Sequence, residues 1–329
     1  MDTKMDMPPI PVDPEMRDLL AEIASADRPP FTRADIPASR EMMKAQMGPS
    51  FAEAIQGKDI DLVDRQIPGP EGAPDLTVSI LTPRGLTAPA PALYNIHGGG
   101  MMVGHRQLDA GRIVGMVEAL GMVAVSVEYR LAPEHPDPAP VEDCHAGLVW
   151  LSDHSAELGV DPDRIIVTGG SAGGGLSAGV TLMARDRGTV KIAGQMLLCP
   201  MIDDTNSTPS SYQFLTGTTW PRSSNVLGWE CLLGDRVGTD AVSPYAAPTR
   251  ATDLSGLPPA FIEVGSAEMF RDEDIDYANR IWAVGGEAEL HVWQGGFHGF
   301  DVFAPNTELA RAAIRSRHSW LRRVLGIPE

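Results

Sequence analysis

The sequence predicts an α/β fold with a mostly parallel central sheet and an antiparallel edge formed by its N-terminal strands. Segments 61–67 and 76–81 alternate apolar and polar residues, as half-buried antiparallel strands do. From residue 92 onwards, short apolar runs alternate with longer segments of helical periodicity. This alternation is typical of parallel sheets whose two faces are covered by helices.

The same two patterns assign the individual elements. The predicted strands cover 61–67, 76–81, 92–96, 122–127, 164–167, 192–198, 260–264 and 288–292. The predicted helices cover 13–26, 38–47, 108–120, 141–157, 172–187, 271–284 and 307–325.

Two regions differ from this alternating pattern. Residues 1–58 begin with several prolines and continue into two helical stretches, before the first strand. Residues 201–235 place aromatic side chains among Ser, Thr and Pro, and a long segment of this kind within an α/β domain is usually an insertion or lid. We therefore divide the chain into an N-terminal segment (1–58), an inserted segment (201–235) and a main domain (59–200 and 236–329).

Composition excludes several classes of protein. The 329 residues include 26 Lys and Arg against 44 Asp and Glu, a net charge of −18 that disfavours nucleic acids and anionic membranes. The three cysteines show neither C-x-x-C nor zinc-ligand spacing, so we expect no disulfide framework and no metal. We see no secretory leader and no apolar run of membrane-spanning length. A cytoplasmic protein is the expectation.

The clearest chemical motif is Gly169-Gly170-Ser171-Ala172-Gly173. It follows a predicted strand and begins a predicted helix, which is the setting of a nucleophile elbow. Glycines at both ends let the strand and the helix approach closely, and the helix N-terminus favours a developing anion. A phosphate-binding turn is the alternative, but the phosphate motifs G-x-G-x-x-G and G-x-x-x-x-G-K are missing. Ser171 is therefore the candidate nucleophile.

A second glycine-rich motif, His97-Gly98-Gly99-Gly100, follows another predicted strand. Consecutive glycines expose backbone N–H groups, and acyl transfer needs such donors at the oxygen that becomes negative. We predict that the N–H groups of Gly98, Gly99 and Ala172 form an oxyanion hole. A flexible loop with a structural histidine is the alternative.

Acyl transfer also needs a base and an acid that orients it. Among the eight histidines, His298 is the candidate base because it follows the last predicted strand, in a loop of glycines and aromatic residues. The loop after strand 260–264 offers several carboxylates, of which Glu268 lies near the strand end. Asp272, in an apparent helix start, is the alternative acid. The order Ser171, Glu268, His298 is that of nucleophile, acid and base in α/β-hydrolases.

Taken together, these motifs resemble one family. The residues that carry the resemblance are His97–Gly100, Glu128–Glu134 (Glu-Tyr-Arg-Leu-Ala-Pro-Glu), Gly169–Gly174, Arg271–Glu273 and His298–Phe300. The chain is similar over about residues 60 to 325 to the hormone-sensitive-lipase-like esterases, also called bacterial family IV. Within that family it most resembles the acetyl esterases of the heroin-esterase type.

The resemblance implies an α/β-hydrolase fold whose helical cap is built from residues 1–58 and 201–235. It assigns the nucleophile, the base and the three backbone donors to the residues already named. Two positions depart from the family pattern. Gly170 replaces an Asp that most members carry before the nucleophile, and Glu268 stands where most have a catalytic Asp.

From these features we expect a cofactor-free carboxylesterase that forms an acyl-enzyme and acts on small-molecule esters with short to medium acyl chains. The pocket candidates are apolar residues of the N-terminal segment, the inserted segment and the glycine loop: Met42, Met43, Met47, Met101, Met102, Phe214 and Trp220. An amidase, lactonase or carbamate hydrolase with the same triad is the main alternative. A ligand-binding protein on a hydrolase scaffold and a nucleotide-binding enzyme are further alternatives. A homodimer is plausible because it is the commonest assembly.

Overall fold

The computed structural model describes residues 7–8, 10–24, 29–46, 48–86 and 89–328. Its strands form one eight-stranded sheet in the order β1-β2-β4-β3-β5-β6-β7-β8. The strands are β1 (Ile60–Ile67), β2 (Leu76–Pro83), β3 (Ala90–Ile96), β4 (Val123–Glu128), β5 (Val160–Gly170), β6 (Gly194–Leu198), β7 (Ala260–Gly265) and β8 (Ala288–Trp293).

Pairing within the sheet confirms the predicted fold class. Strand β2 pairs antiparallel with both β1 and β4, whereas all other neighbours pair in parallel. The alternation of segments 61–67 and 76–81 thus marked the antiparallel edge. Strand β2 is more buried than the half-buried strand that the alternation predicts, because it lies between β1 and β4. The continuous apolar runs marked strands buried on both faces, such as β3, all of whose residues are buried.

Helices cover both faces of the sheet. They are α1 (Arg17–Ile23), α2 (Ile36–Gln46), α3 (Phe51–Ala54), α4 (Ala110–Leu120), α5 (Ala139–Asp153), α6 (Ala172–Arg187), α7 (Pro209–Gln213), α8 (Arg222–Leu233), α9 (Arg271–Ala283), α10 (Phe300–Phe303) and α11 (Glu308–Leu325). Helices α4 and α11 share one apolar core with Leu93 and Ile166, while α5 and α6 pack with Tyr94 and Val167 on the opposite face.

The N-terminal segment differs in detail from the predicted helices. A short 3-10 helix, Pro14–Met16, precedes α1, because Asp13 caps this turn by accepting a hydrogen bond from the N–H of Glu15. Helix α2 begins before the predicted residue 38, after a turn in which Asp35 accepts hydrogen bonds from Thr32. Met47 lies outside the described residues.

The parallel register sets the position of the site. It pairs Ile96 with Gly169, Gly170 with Leu198, and Leu198 with Glu263. The loops that follow β3, β5, β6 and β7 therefore meet at one edge of the sheet, where α/β folds bind their ligands. No helix among the described residues has the length and apolar character to cross a membrane.

Candidate active site

Ser171 occupies a strained turn between β5 and α6. Its φ of 57° and ψ of −124° are unusual for a residue with a side chain. Glycines are needed around it, since a Cβ at Gly173 would lie 2.0 Å from the carbonyl oxygen of Ile96 and one at Gly169 would lie 2.4 Å from the backbone of Gly173. The turn places the hydroxyl at the N-terminus of α6, above the sheet edge.

A hydrogen-bonded series runs from Ser171 through His298 to Glu268. His298 Nε2 lies 3.0 Å from Ser171 Oγ, and Nδ1 lies 2.6 Å from Glu268 Oε2. The other carboxylate oxygen of Glu268, Oε1, accepts from the N–H of Gly265 at 2.8 Å. An ionised carboxylate only accepts, so Nδ1 carries the ring proton and Nε2 is left to accept from the serine hydroxyl.

The alternative acid, Asp272, faces away from the imidazole. Its Oδ2 accepts from the N–H of Ser210 at 2.7 Å and its Oδ1 accepts from Arg271 Nε at 2.7 Å. Asp272 thus ties α9 to the inserted segment. Of the two acids considered, the structure brings Glu268 to His298.

The glycine loop after β3 lies against the serine turn. A Cβ at Gly98 would stand 2.8 Å from the carbonyl oxygen of Gly170, and Gly99 adopts a φ of 120° that favours glycine. Tyr129 Oη holds the loop by donating to the carbonyl of His97 at 2.9 Å. Within the described part of the chain, the N–H groups of Gly98, Gly99 and Ala172 donate no hydrogen bond. All three predicted donors are therefore free to donate hydrogen bonds to a ligand oxygen.

His97 itself belongs to the framework of this loop. Its Nδ1 lies 2.8 Å from the carbonyl oxygen of Gly98, and its ring stacks on Tyr129 with centroids 4.2 Å apart. Burial lowers the pKa of His97. A neutral imidazole held in this way supports the glycine turn and does not compete with His298 for the serine.

A cavity of about 760 Å³ lies over Ser171, His298 and Glu268. The N-terminal segment lines the cavity through Met42 and Met43. The inserted segment lines it through residues 215–221, which include Trp220. Trp220 also packs over the oxyanion loop, because a Cβ on Gly100 would meet its ring at 2.3 Å.

Three predicted pocket residues lie elsewhere. Met101 and Met102 are fully buried in the main core, and Phe214 is 6% exposed in the same core. None of the three is among the cavity-lining residues, so we correct their assignment. For Met101 and Met102, the physical reason is that the tight turn at Gly99 and Gly100 directs the following side chains into the protein, whereas Phe214 packs into the same core from the inserted segment.

A buried chain of charges also borders the cavity, and the sequence analysis missed it. Arg317 of α11 donates through Nε to Glu263 of β7 at 2.8 Å and pairs through Nη1 with Asp301 of α10 at 2.7 Å. Beyond them, Arg112 Nη2 of α4 lies 2.6 Å from Asp109 Oδ1. Glu263, Asp301, Arg112 and Asp109 all line the cavity.

The buried charged groups shift one another's pKa values. Burial would raise the pKa of Asp301, but Arg317 and Arg112 outweigh it and lower that pKa. Burial dominates at Glu263, where the pKa is raised despite the adjacent Arg317. No local motif signals this constellation, because its members come from four separate elements.

One group of metal-ligand type occurs among the described residues. Cys199, Glu268 and His298 offer ligand atoms within 4.8 Å of one another. Burial raises the pKa of the Cys199 thiol well above its usual range, which disfavours the thiolate that a metal needs. Since Glu268 and His298 already bond to each other, the arrangement fits acid–base chemistry better than a resident metal.

Comparison with known proteins agrees with this geometry. A family model described as the alpha/beta hydrolase fold matches residues 93–302, more than half of the chain. The chain belongs to the α/β-hydrolase family. Carboxylesterase NlhH of Mycobacterium tuberculosis is 34% identical to this hydrolase over 267 residues, which are 80% of this chain and 83% of the relative. Carboxylic ester hydrolase LipN of the same species is 36% identical over 276 residues, 81% of this chain and 70% of the relative.

Solved structures give the same result over nearly the whole hydrolase. A bacterial heroin esterase matches with a TM-score of 0.88 and 38% identity, covering 95% of this chain and 98% of the other. Esterase LipW from Mycobacterium marinum matches with a TM-score of 0.86 and 30% identity, covering 96% and 98%. The resemblance to hormone-sensitive-lipase-like esterases is thereby confirmed.

Proposed function

We propose that this hydrolase cleaves carboxylic esters of short to medium acyl chains through an acyl-enzyme on Ser171. The observation that carries the proposal is the unbroken series Ser171–His298–Glu268 at the base of a cavity. The similar proteins named carboxylesterase, carboxylic ester hydrolase and heroin esterase support the ester as the bond that is cleaved. On the same grounds the chain is an enzyme of the serine carboxylesterase class.

The geometry suits two chemical steps. Ser171 Oγ attacks the ester carbonyl while His298 Nε2 takes its proton, and the Glu268 carboxylate stabilises the imidazolium. The oxyanion accepts hydrogen bonds from the N–H groups of Gly98, Gly99 and Ala172. His298 then protonates the departing alcohol. Water, deprotonated by His298, attacks the acyl-enzyme and releases the acid.

The walls of the cavity favour an uncharged, mainly apolar substrate. Met42, Met43, Leu215 and Trp220 line the cavity, and Met42 and Leu215 are about half exposed, at 49% and 47%. A cavity of about 760 Å³ accommodates a small-molecule ester. We propose that residues 1–58 and 201–235 act together as its cap.

The test is hydrolysis of p-nitrophenyl esters from acetate to laurate. We expect turnover of short and medium esters, and a loss of kcat of at least about 10⁴-fold in Ser171→Ala and in His298→Ala. His291→Gln is the matched control, because His291 lies on β8 and bonds to Glu289. Equal activity of Ser171→Ala and wild type would refute the acyl-enzyme.

The same samples separate the alternatives. Matched p-nitroanilides and lactones show whether amides or cyclic esters are preferred over linear esters. A wild-type chain that turns over none of these substrates, yet binds an ester saturably, would favour the ligand-binding protein instead.

A further inference from the structure

Arg112 borders the cavity directly beside the nucleophile. It lines the cavity together with Asp109, Gly170 and Ser171. A Cβ at Gly170 would stand 3.4 Å from Arg112 Nη1. Since Gly170 has no side chain, nothing at this position separates the guanidinium from the space next to Ser171.

The guanidinium has donors without acceptors. Its nearest partner is Asp109, with Nη2 and Oδ1 2.6 Å apart. The contact is not an aligned hydrogen bond, and both Arg112 Nη2 and Asp109 Oδ2 are buried without a partner among the described residues. The two side chains are 12% and 9% exposed. Nη2 is closed to a ligand by its burial, so the donor that a ligand can reach is Nη1, which lies beside Gly170 and makes no hydrogen bond among the described residues. A charged donor left unused is costly, so an acceptor supplied there by a ligand would be bound favourably.

The surroundings decide what kind of acceptor fits. Arg112 lies beside Asp109. Its charge also lowers the pKa of Asp301, which pairs with Arg317. Counting Glu263, three carboxyls surround two guanidinium groups. There is no excess positive charge here, so an anionic group gains little from this position. An uncharged oxygen can use the free N–H groups without bringing a further negative charge.

We propose that Arg112 is a specificity-determining residue that donates a hydrogen bond to a second, uncharged oxygen of the substrate. That oxygen belongs to an ether, hydroxyl or carbonyl group in the acyl or the alcohol half of the ester. The inference rests on the proposed function, since it places this oxygen next to the ester that Ser171 attacks. It gives a role to a cation that lines the cavity without a complete set of hydrogen bonds.

The test is a series of length-matched esters in which one methylene is replaced by an ether oxygen at successive positions. One series varies the acyl group of p-nitrophenyl esters, and the other varies the alcohol of butyrate esters. We expect one position to raise kcat/KM about 10- to 100-fold over the parent ester, mainly through a lower KM. The p-nitrophenyl monoester of glutaric acid is the charged probe and is expected to be poorer than both.

Two matched substitutions at Gly170 test the role of Arg112. Gly170→Asp would give the guanidinium an internal carboxylate, and Gly170→Ala would add bulk without charge; the neighbouring atom is the end of a flexible side chain. The ratio of kcat/KM for the ether ester over its parent is compared between variants, so intrinsic reactivity cancels. We expect Gly170→Asp to lose the preference and Gly170→Ala to retain it. The pair variant Asp109→Asn/Arg112→Met should lose it as well.

The outcomes are distinct. A wild type that hydrolyses the parent esters without preferring any ether position overturns the subsite but leaves the proposed function. A wild type inert on all parent esters overturns the proposed function. A preference that survives in the Asp109→Asn/Arg112→Met variant shows that another group binds the oxygen, and a preference for the glutarate monoester contradicts an uncharged ligand.

Discussion

Glu263 and Glu268 lie close together in the chain, at the end of β7 and in the loop after it, and both carboxyls are buried. Their partners differ. Glu263 is paired with the guanidinium of Arg317, which also holds Asp301. Glu268 is paired with the imidazole of His298, whose second nitrogen faces Ser171. Two similar carboxyls from one segment therefore support different tasks.

The difference lies in what the partner can do with a proton. A guanidinium stays charged at any pH that a folded protein tolerates, so the pair at Glu263 is a fixed feature of the core. An imidazole gains and loses a proton near neutral pH, so the pair at Glu268 can serve a reaction. If this distinction holds, removing Glu268 damages turnover more than stability, and removing Arg317 does the reverse.

Of the variants that test this comparison, Glu268→Gln is expected to show the largest effect. It keeps the shape of the side chain but removes the charge that stabilises the imidazolium and fixes its tautomer. We expect kcat on a short p-nitrophenyl ester to fall about 10²- to 10⁴-fold, with little change in the melting temperature.

Asp272→Asn is the matched control for this substitution. Its carboxylate bonds to Ser210 and Arg271 rather than to His298, so kcat should stay near that of the wild type. A collapse of activity in Asp272→Asn with activity retained in Glu268→Gln would assign the acid to Asp272 and end the comparison.

Arg317→Met tests the fixed pair. It leaves Glu263 and Asp301 buried without their cation, which should lower the free energy of unfolding by about 3–5 kcal/mol. Arg315→Met is the control on the same helix, because Arg315 makes an exposed pair with Glu308 that should be worth about 0–1 kcal/mol. Urea unfolding of both variants measures the difference. Equal losses in the free energy of unfolding would mean that the buried ion pairs of Arg317 stabilise the fold no more than a surface pair does.

The sequence predicts those features that residues close together in the chain decide. The serine turn and the alternation of β1 and β2 are of this kind, because glycine spacing and side-chain period act over a few residues. Local pattern favoured Glu268, which lies near the strand end, over Asp272 but did not exclude Asp272. Which of them faces His298 depends on how α9 starts and on a bond to Ser210, far away in the chain.

The remaining errors have a tertiary origin. Asp109 and Arg112 reach the cavity from the start of α4, and Asp301 reaches it from α10; only the packing of the sheet brings these two helices together. Met101 and Met102 have the composition of a pocket wall, but the backbone turn before them directs them into the core. Hydrophobicity alone does not tell a core residue from a ligand-contacting one.

Asp274 extends the comparison to a carboxyl with neither type of partner. It is fully buried at the start of α9, and neither of its carboxylate oxygens has a hydrogen-bond partner among the described residues. Burial, together with Glu273 and Glu268, raises its pKa well above the usual value of 3.8. Between about pH 4 and the raised pKa, the native state holds a proton here that the unfolded chain releases. The contribution of Asp274 to the free energy of unfolding therefore falls as pH rises above about 4.

Asp274→Asn removes that titration with little change in shape. We expect the variant to be more stable than the wild type, and the gain in melting temperature to be greater at pH 8 than at pH 5, because only the wild type loses stability as pH rises from about 4 through the raised pKa of Asp274. Asp276→Asn makes the same substitution at an exposed position of the same helix and should show no such pH-dependent gain. A gain that is equal at both pH values would mean that Asp274 is ionised in the folded protein. The fold would then accept a buried, ionised carboxylate that has no partner. In that case the burial of Glu263 would not require the cation of Arg317.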